Sequence, residues 1–433
     1  MLTKKQVSQI LLDIDAVSGF LTPAFKYPSG LLTLSSHAKE RNAIIDTMVE
    51  QIQGARDRID VVVSANTSSI FLASLLAQRL NLPMAYVRPS PKTHGKRKEI
   101  EGVFKAGQRA LLVSDIIAEE RDIPKSVGTI RQNGGFVVHC LAAFESHMSR
   151  EEDFLKTQNI PHAALTDLAT LSEMASNRRQ PSLEKKPTLE WVKNLEKCKE
   201  ITSTNNKQLL DDIGRKVAQI LLKVGAVSIN TKQPFKYTSG ILSPIYTDNR
   251  LLISYPEQWK YIIDSFITII ICIIGSEIFD VLAGTATSGI PHASLVADKL
   301  NLPMVYVDFE NYDKDQHSCI AGNVQKGDRV VMLEDHITTG KSVLSSARVL
   351  REFGANVDRC LAIFTYGTEK SKSTFKEAGV RLIPLCDLST LMEVAITMKY
   401  IKPEDQKAVV DWLEDPEHWA SNRRKTLNKT AWT

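Results

Sequence analysis

The sequence predicts an α/β protein of two tandem domains, each a mostly parallel, doubly wound sheet with flanking helices and a small hood. The chain has 433 residues, too many for one ordinary domain and suitable for two of about 200 residues each. The second half also repeats the first. AVSGFLTPAFKYPSGLL from Ala16 matches AVSINTKQPFKYTSGIL from Ala226, and LTDLATLSEMA from Leu165 matches LCDLSTLMEVA from Leu385.

The longest match without gaps begins at Asp60 in the first copy and at Asp280 in the second. DVVVSANTSSIFLASLLAQRLNLPMAYV pairs there with DVLAGTATSGIPHASLVADKLNLPMVYV, and the offset is constant from this point onward. Upstream, the offset is shorter by about ten residues. We assign these extra residues of the second copy to the stretch between Arg250 and Asp280.

Short apolar runs alternate with helical patterns within each copy, which indicates βαβ units and a parallel sheet. Ligands in such folds bind beyond the carboxyl ends of the strands. The N-terminal segment MLTKKQVSQILLDIDAV is predicted to be an amphipathic helix. The strands expected in the second copy are Asp280–Ala283, Met304–Val307, Arg329–Glu334 and Arg359–Thr365.

The repeat divides the chain into domain 1 (residues 1–180), a linker (181–207) and domain 2 (208–433). The linker is rich in charge and contains Pro181 and Pro187, a composition typical of a tether. A short helix is expected around Leu189 to Lys199. The polar tail beyond DWLEDPEHW is expected to fray.

Composition excludes several classes of partner. The chain has 54 Lys and Arg against 50 Asp and Glu, a net charge of +4, so it lacks the strongly basic character of nucleic-acid-binding proteins. The six cysteines have no metal-ligand spacing and are expected to be buried thiols. The most apolar stretch, Phe266–Ile274, is too short to span a bilayer, which needs roughly 20 residues, and predicts a buried helix or an apolar interdomain face. With no signal peptide, we expect a cytoplasmic protein without membrane or nucleic-acid partners.

A phosphate site is predicted in the second copy. The apolar run Val330–Leu333 ends in Glu334 and Asp335, and a turn then leads to a helix from about Ser342. Small residues in such a turn let backbone N–H groups surround a phosphate at a helix N-terminus. The two carboxylates can hold ribose hydroxyls, directly or through Mg²⁺. The residues of the turn are Thr338, Thr339, Gly340, Lys341 and Ser342.

This string resembles the phosphoribosyl pyrophosphate (PRPP) motif of type I phosphoribosyltransferases. A second loop, after one strand and before a helix near Ile290, resembles the pyrophosphate-binding loop of that family. The resemblance implies PRPP as a substrate, Mg²⁺ as its cofactor, and Glu334 and Asp335 beside the ribose. The residues of the second loop, which follow Gly284 and are expected to contact PRPP, are Thr285, Ala286, Thr287, Ser288 and Gly289.

The resemblance narrows to the orotate phosphoribosyltransferases. PFKYTSGILSPIYTDNR (Pro234–Arg250) resembles the base-binding hood of that family, LAIFTYG from Leu361 resembles a strand of its base pocket, and DWLEDPEHW resembles its C-terminal helix. Leu242 and Ser288 depart from the family, which often has a lysine at each position. The resemblance implies orotate as the base, with contacts from Lys236, Tyr246, Arg250 and Thr365.

The PRPP motif is degraded in the first copy. SDIIAEERDIP from Ser114 aligns with EDHITTGKSVL, so that Glu119, Glu120 and Asp122 replace a threonine, the glycine and the serine. Three acids would repel a phosphate, and a non-glycine residue resists the turn. Pro124 is expected to interrupt the following helix. The pyrophosphate loop has become SANTSSIF and has lost both glycines.

The first copy nevertheless keeps VRPSPKTHGKRKEIEG (Val87–Gly102), which resembles the mobile catalytic loop of the family. Arg88, Lys92 and His94 are present there. The second copy has Asp308, Tyr312 and Lys314 at the corresponding positions, and acids would oppose a pyrophosphate leaving group.

In the family, the loop of one subunit of a two-fold dimer closes over the site of its partner. The resemblance therefore implies an intrachain pseudo-dimer with one complete composite site. That site would transfer phosphoribosyl from PRPP to orotate, giving orotidine 5′-monophosphate and pyrophosphate. Three alternatives remain open: an inactive PRPP sensor or regulator, a subunit that scaffolds a separate enzyme, and a phosphoribosyltransferase for another base such as a purine or uracil.

Overall fold

The computed structural model describes residues 1–16, 29–88, 99–118, 122–146, 150–176, 206–236, 241–274, 279–309, 319–415 and 418–419. The first half contributes one sheet of six strands: β1 (Val61–Ser64), β2 (Met84–Val87), β3 (Ile100–Gly102), β4 (Arg109–Ile117), β5 (Phe136–Glu145) and β6 (His162–Asp167). Their order across the sheet is β3-β2-β1-β4-β5-β6.

The second half repeats this sheet. Its strands are β11 (Val281–Thr285), β12 (Met304–Val307), β13 (Ile320–Ala321), β14 (Arg329–Ile337), β15 (Asn356–Thr365) and β16 (Arg381–Asp387). They lie in the order β13-β12-β11-β14-β15-β16. Only the edge strands β3 and β13 are antiparallel to their neighbours, so the predicted doubly wound α/β fold is confirmed for both halves.

Two small antiparallel pairs form the hood of the second half: β7 (Val227–Ile229) with β10 (Ile245–Thr247), and β8 (Phe235–Lys236) with β9 (Leu242–Ser243). The α-helices of the first half are Lys4–Asp13, Ala38–Gln51, Ile70–Leu80, Asp122–Gln132, Arg150–Thr157 and Leu168–Ser176. Those of the second half are Asn206–Lys223, Pro256–Ile269, Ile290–Leu300, Lys341–Glu352, Glu369–Glu377, Leu388–Thr397 and Pro403–Glu414.

Several element boundaries differ from the sequence prediction. Strand β14 continues past the acids to Ile337 because β15 keeps pairing with it as far as Thr365. The helix Asn206–Lys223 begins two residues before the start predicted for domain 2. The short helix expected around Leu189 to Lys199 lies outside the described residues.

The prediction that Pro124 interrupts its helix is wrong. The helix Asp122–Gln132 contains Pro124 in its first turn. Proline is tolerated there because the first N–H groups of a helix have no partner within the helix.

The extra residues of the second copy were also assigned to the wrong stretch. The helices Ala38–Gln51 and Pro256–Ile269 occupy equivalent places, since Ser36 and Ser254 just before them make equivalent contacts. Seven positions separate Ser29 from Ser36, whereas fifteen separate Ser239 from Ser254. Eight of the extra residues therefore lie between Ser239 and Ser254.

The two halves pack directly on each other, and one apolar cluster contains buried residues of both. The guanidinium of Arg79 binds the carboxylate of Asp298 through two hydrogen bonds of 2.7 and 3.1 Å. Arg41, only 1% exposed, donates to the carbonyl of Leu302 across the same interface. Charged groups buried with such partners fix the orientation of one half on the other.

A matching serine contact occurs twice at this interface. Ser254 donates to the carbonyl of Met84 at 2.7 Å and accepts from the N–H of Val103 at 2.7 Å. Ser36 makes the equivalent bonds to Met304 and Asn323. Gly102 has a φ of +92°, and a Cβ there would lie 2.8 Å from the Ser254 hydroxyl. The close approach of the two halves therefore requires glycine at this position.

The apolar stretch Phe266–Ile274 is the end of the helix Pro256–Ile269 followed by a π-helical turn, Ile270–Ile274. Four of its isoleucine and phenylalanine side chains belong to the apolar cluster that spans both halves. Within the described ranges, no helix has the length and apolar character needed to cross a bilayer. Of the five cysteines that the structure describes, four are buried, and all five are free thiols.

Candidate active site

The two acids of the phosphate motif lie on β14 near its carboxyl end, and both are buried. The backbone N–H of Asp335 donates to the Glu334 carboxylate at 3.0 Å, and the N–H of His336 donates to the Asp335 carboxylate at 2.8 Å. Asn249 of the hood donates to the carbonyl of Asp335 at 2.8 Å. The hood is thereby fixed to the strand that carries the acids.

The two carboxyl groups titrate differently. Burial, together with the neighbouring Asp335, raises the pKa of Glu334 well above its ordinary value. Burial alone would also raise the pKa of Asp335, but the imidazole of His336 keeps it below the ordinary value. Burial and the mutual repulsion of the two carboxyl groups therefore oppose ionisation of Glu334, and Asp335 is the more acidic of the pair.

The donor chemistry of this pair fits a magnesium ion, because Mg²⁺ prefers carboxylate oxygens. A divalent cation would favour the ionised form of Glu334 as well.

The turn after β14 is open to solvent. Thr338, Lys341 and Ser342 are exposed, and Thr339 is half-buried. Gly340 has a φ of +85°, and a Cβ there would lie 2.4 Å from the ring of Phe375. The helix Lys341–Glu352 begins directly afterwards, so the positive end of its dipole lies at this turn.

The second loop of the motif lies at the end of the neighbouring strand β11. Thr285 is buried, while Ala286, Thr287 and Ser288 are half-buried. A Cβ at Gly289 would lie 2.7 Å from the carbonyl oxygen of Leu333, so only glycine allows this loop to approach β14. The structure thus brings both predicted PRPP loops to the same edge of the sheet.

The predicted base-binding residues differ in their exposure to solvent. Lys236 is exposed on β8, and Tyr246 packs its ring 5.7 Å from that of Phe235 within the hood. Thr365 is only 4% exposed. Its hydroxyl accepts from the N–H of Gly367 at 3.1 Å and lines a cavity of about 420 Å³ beside β15 and β16.

Arg250 has two acidic partners. Its guanidinium donates to Asp248 at 2.6 Å and to Glu101 of the first half at 2.5 Å. Burial would lower the pKa of Arg250, but the two carboxylates raise it well above its ordinary value. Glu101 also accepts from Arg88 at 2.6 Å. The sequence identified Glu101 only as part of the closing Ile100–Gly102 of the loop motif, without a role of its own, and Asn249 was not singled out although it lies inside the hood motif.

A second contact joins the catalytic-loop strands of the first half to the PRPP loops of the second. The Tyr86 hydroxyl lies 3.4 Å from the Thr287 hydroxyl. Tyr86 is on β2, opposite Glu101 on β3, and the predicted catalytic loop connects these two strands. Lys92 and His94 themselves lie outside the described residues.

The equivalent pocket of the first half is filled by its own side chains. The Asn66 amide donates to Asp115 at 3.3 Å and to Asp122 at 3.2 Å. Ser64 and Ser69, which replace the two loop glycines, lie 2.8 Å apart. Burial raises the pKa of Asp115.

A buried carboxylate occupies the phosphate end of this first pocket. Glu151, 1% exposed, accepts from the backbone N–H groups of Ala118 at 3.1 Å and Ile123 at 3.0 Å. These positions correspond to Thr338 and Val343 of the second half. An internal anion therefore binds the amides that would otherwise face a phosphate.

A further group of possible metal ligands lies in the first half. One ligand atom from each of Glu145, Glu152 and His162 falls within 4.8 Å of the others. The ammonium of Lys156 pairs with Glu152 and already supplies positive charge there.

Comparison with known proteins identifies the family. The model of the phosphoribosyl transferase domain matches residues 257–384. Over 203 residues, 47% of this chain, the sequence is 44% identical to orotate phosphoribosyltransferase of Coxiella burnetii and covers 96% of it. It is 42% identical over 207 residues, 48% of this chain, to the orotate phosphoribosyltransferase of Listeria monocytogenes and covers 98% of that protein. A solved structure of orotate phosphoribosyltransferase from Aeropyrum pernix is 30% identical and aligns with 43% of this chain and 99% of its own, with a TM-score of 0.37. Because each of the two relatives is matched over nearly its full length by about half of this chain, the chain belongs to the orotate phosphoribosyltransferase family of transferases.

Proposed function

We propose that the chain transfers phosphoribosyl from PRPP to orotate at one composite site, built from the pocket of domain 2 (residues 208–433) and the catalytic loop of domain 1 (residues 1–180). The products are orotidine 5′-monophosphate and pyrophosphate. Family membership supports the reaction. The composite site is supported by the Arg88–Glu101–Arg250 cluster, which joins the two ends of the domain 1 loop to the hood of domain 2.

Domain 2 binds both substrates in this proposal. The turn Thr338–Ser342 receives the 5′-phosphate at the N-terminus of the helix Lys341–Glu352. Glu334 and Asp335 address the ribose hydroxyls, and the loop Thr285–Gly289 addresses the pyrophosphate. Orotate lies under the hood of Lys236, Tyr246 and Arg250, near Thr365.

The loop of domain 1 completes the site. Lys92, His94 and Arg88 close over the pyrophosphate, and their positive charge neutralises it as the bond to ribose C1 breaks. Pyrophosphate leaves with the bonding electrons, N1 of orotate bonds to C1, and the N1 proton passes to the departing pyrophosphate. Glu334 and Asp335 would hold the magnesium that PRPP carries, which would supply further neutralising charge. The carboxylates of this chain favour the positive charge that develops on the sugar, and loop closure excludes water.

The self-filled pocket of domain 1 supports a single site per chain. Asn66, Asp122 and Glu151 occupy the space that corresponds to the PRPP site of domain 2. The chain thus acts as an intrachain pseudo-dimer in which only one of two related pockets receives substrate.

The test follows loss of orotate absorbance in a mixture of the purified chain, PRPP, Mg²⁺ and orotate, with Lys92→Ala in parallel. We expect activity in the parent and a loss of about a hundredfold or more in the variant, the range of removed transition-state charge stabilisation. Because Lys92 is in domain 1, this result requires a shared site. Unchanged activity in the variant would contradict it. PRPP binding without orotate turnover would favour an inactive sensor or another base.

A further inference from the structure

Glu101 is the structural centre of the contact between the loop and the hood. It is 2% exposed, on β3 at the far end of the catalytic loop, and one of its oxygens accepts from both Arg88 and Arg250. Arg88 begins the loop, since it directly follows β2. A single carboxylate therefore holds the two ends of the loop together and joins them to the hood of the other half.

The same position in the other half has none of these groups. Glu101 pairs with Tyr86 across β2 and β3, and the equivalent pair is Ala321 with Tyr306. Asp308 stands at the position of Arg88. Arg250 lies four residues before Ser254, and Leu32 stands four residues before Ser36 in the first copy. All three members of the cluster thus occur together on the side where the pocket is open and are all absent on the side where it is filled.

We propose that Glu101 is a positioning residue for the transfer reaction: it aligns Arg88 and the loop with the domain 2 pocket. This inference rests on the proposed function and assigns a role to a residue that contacts neither substrate in that proposal. The charges explain why a carboxylate is required. Two guanidinium groups repel each other in a low-dielectric site, and Glu101 with Asp248 balances them. Without Glu101, Arg88 and Arg250 would move apart and the loop would lose its anchor.

Steady-state kinetics of Glu101→Gln test the role, with Glu173→Gln as the matched control. Both variants remove one ion-paired carboxylate from the first half, but Glu173 is exposed, pairs with Lys5 and lies outside the catalytic-loop motif. We expect kcat to fall by about ten- to a hundredfold in Glu101→Gln, the range for misplaced catalytic groups. The KM for PRPP should change by less than about threefold, because uniform binding is unaffected when only transition-state contacts are lost. Glu173→Gln should match the parent.

A double variant distinguishes positioning from general support of the fold. If Glu101 acts through Arg88, then Glu101→Gln in an Arg88→Gln background should lower kcat by less than about twofold further, because coupled residues are not additive. Fully multiplicative losses, or a rise in the KM for PRPP equal to the fall in kcat/KM, would overturn the proposal.

Hydrogen–deuterium exchange gives a readout that does not depend on turnover. We expect Glu101→Gln to accelerate exchange in peptides that cover residues 84–102 and 245–254, and Glu173→Gln to leave them unchanged. If the parent proves inactive with orotate while this pattern appears, the proposed function fails and the positioning role stands. Unchanged exchange in Glu101→Gln would refute the positioning role whatever the activity.

Discussion

Replacement of Glu151 by alanine should destabilise domain 1 more than any single hydrogen bond would suggest. The carboxylate is buried and accepts from two backbone N–H groups, those of Ala118 and Ile123. In domain 2 the equivalent residue is Ser371, whose hydroxyl donates to the carbonyl of Thr368 at 2.9 Å. Glu151 is therefore a permanent substitute for a bound phosphate, and its loss leaves the two amides without their anion.

The magnitude follows from these two bonds. A hydrogen bond to a charged group contributes about 1.5–3 kcal/mol, and removal of one partner leaves the buried donor unsatisfied. Two such bonds predict a loss of about 3–6 kcal/mol for Glu151→Ala, as large as the loss from severe damage to a core.

Urea unfolding followed by circular dichroism measures this loss. Asp153→Ala is the matched control, because Asp153 is an exposed acid in the same first turn of the helix Arg150–Thr157. Removal of an exposed acid from a helix N-terminus costs about 0.3–1 kcal/mol. If the two variants unfold at the same urea concentration, the carboxylate does not stabilise domain 1 as its contacts indicate.

Three further predictions concern domain 2 and the interface. An alanine side chain at Gly340 would be strained by the positive φ and by the ring of Phe375. Gly340→Ala should therefore raise the KM for PRPP about five- to thirtyfold, equivalent to a loss of about 1–2 kcal/mol of binding free energy. An unchanged KM would contradict the assigned phosphate turn. Burial lowers the pKa of His292 to about 4. As the pH falls, the unfolded chain therefore binds the proton at a higher pH than the folded chain does. The free energy of unfolding should fall by up to about 3 kcal/mol between pH 6.5 and pH 4. The urea concentration at the midpoint of unfolding, measured across this pH range, should fall less in His292→Leu than in the parent. Ser254→Ala and Ser36→Ala each remove two hydrogen bonds at the interface, and each should lower the free energy of unfolding by about 1–3 kcal/mol. Only Ser254→Ala should reduce kcat, because Ser254 lies next to the strands of the catalytic loop. Equal kcat values in the two variants would count against a single working site.

Much of the fold could be predicted from the sequence because it depends on local patterns. Alternating apolar runs and the repeat gave both sheets, and β12 has the bounds that its apolar run predicts. The start of the helix at Ile290 was also predicted, since the glycine-rich turn before it is a local signal. The error at Pro124 arose because proline was treated as a helix breaker without regard to its position in the first turn.

The extra residues of the second copy were assigned to the wrong stretch for a different reason. Sequence matching placed the extra residues of the second copy after Arg250, because the apolar pattern alone does not fix the position of a gap. The equivalent contacts of Ser36 and Ser254 fix it. At the offset that these serines fix, Leu32 stands at the position of Arg250, so domain 1 lacks this predicted base-binding arginine as well as an intact phosphate turn.

The sequence by itself determined the family, the two copies, and which motif is intact in each, because a phosphate turn and a glycine-rich loop are contiguous strings whose chemistry depends on residue type and spacing. Only the tertiary structure decided which groups meet. Glu101, Arg88 and Arg250 come together across 162 positions of chain, and Glu151 reaches amides 28 and 33 residues away. Such contacts depend on strand order and on the packing of one half against the other, and no local pattern encodes them.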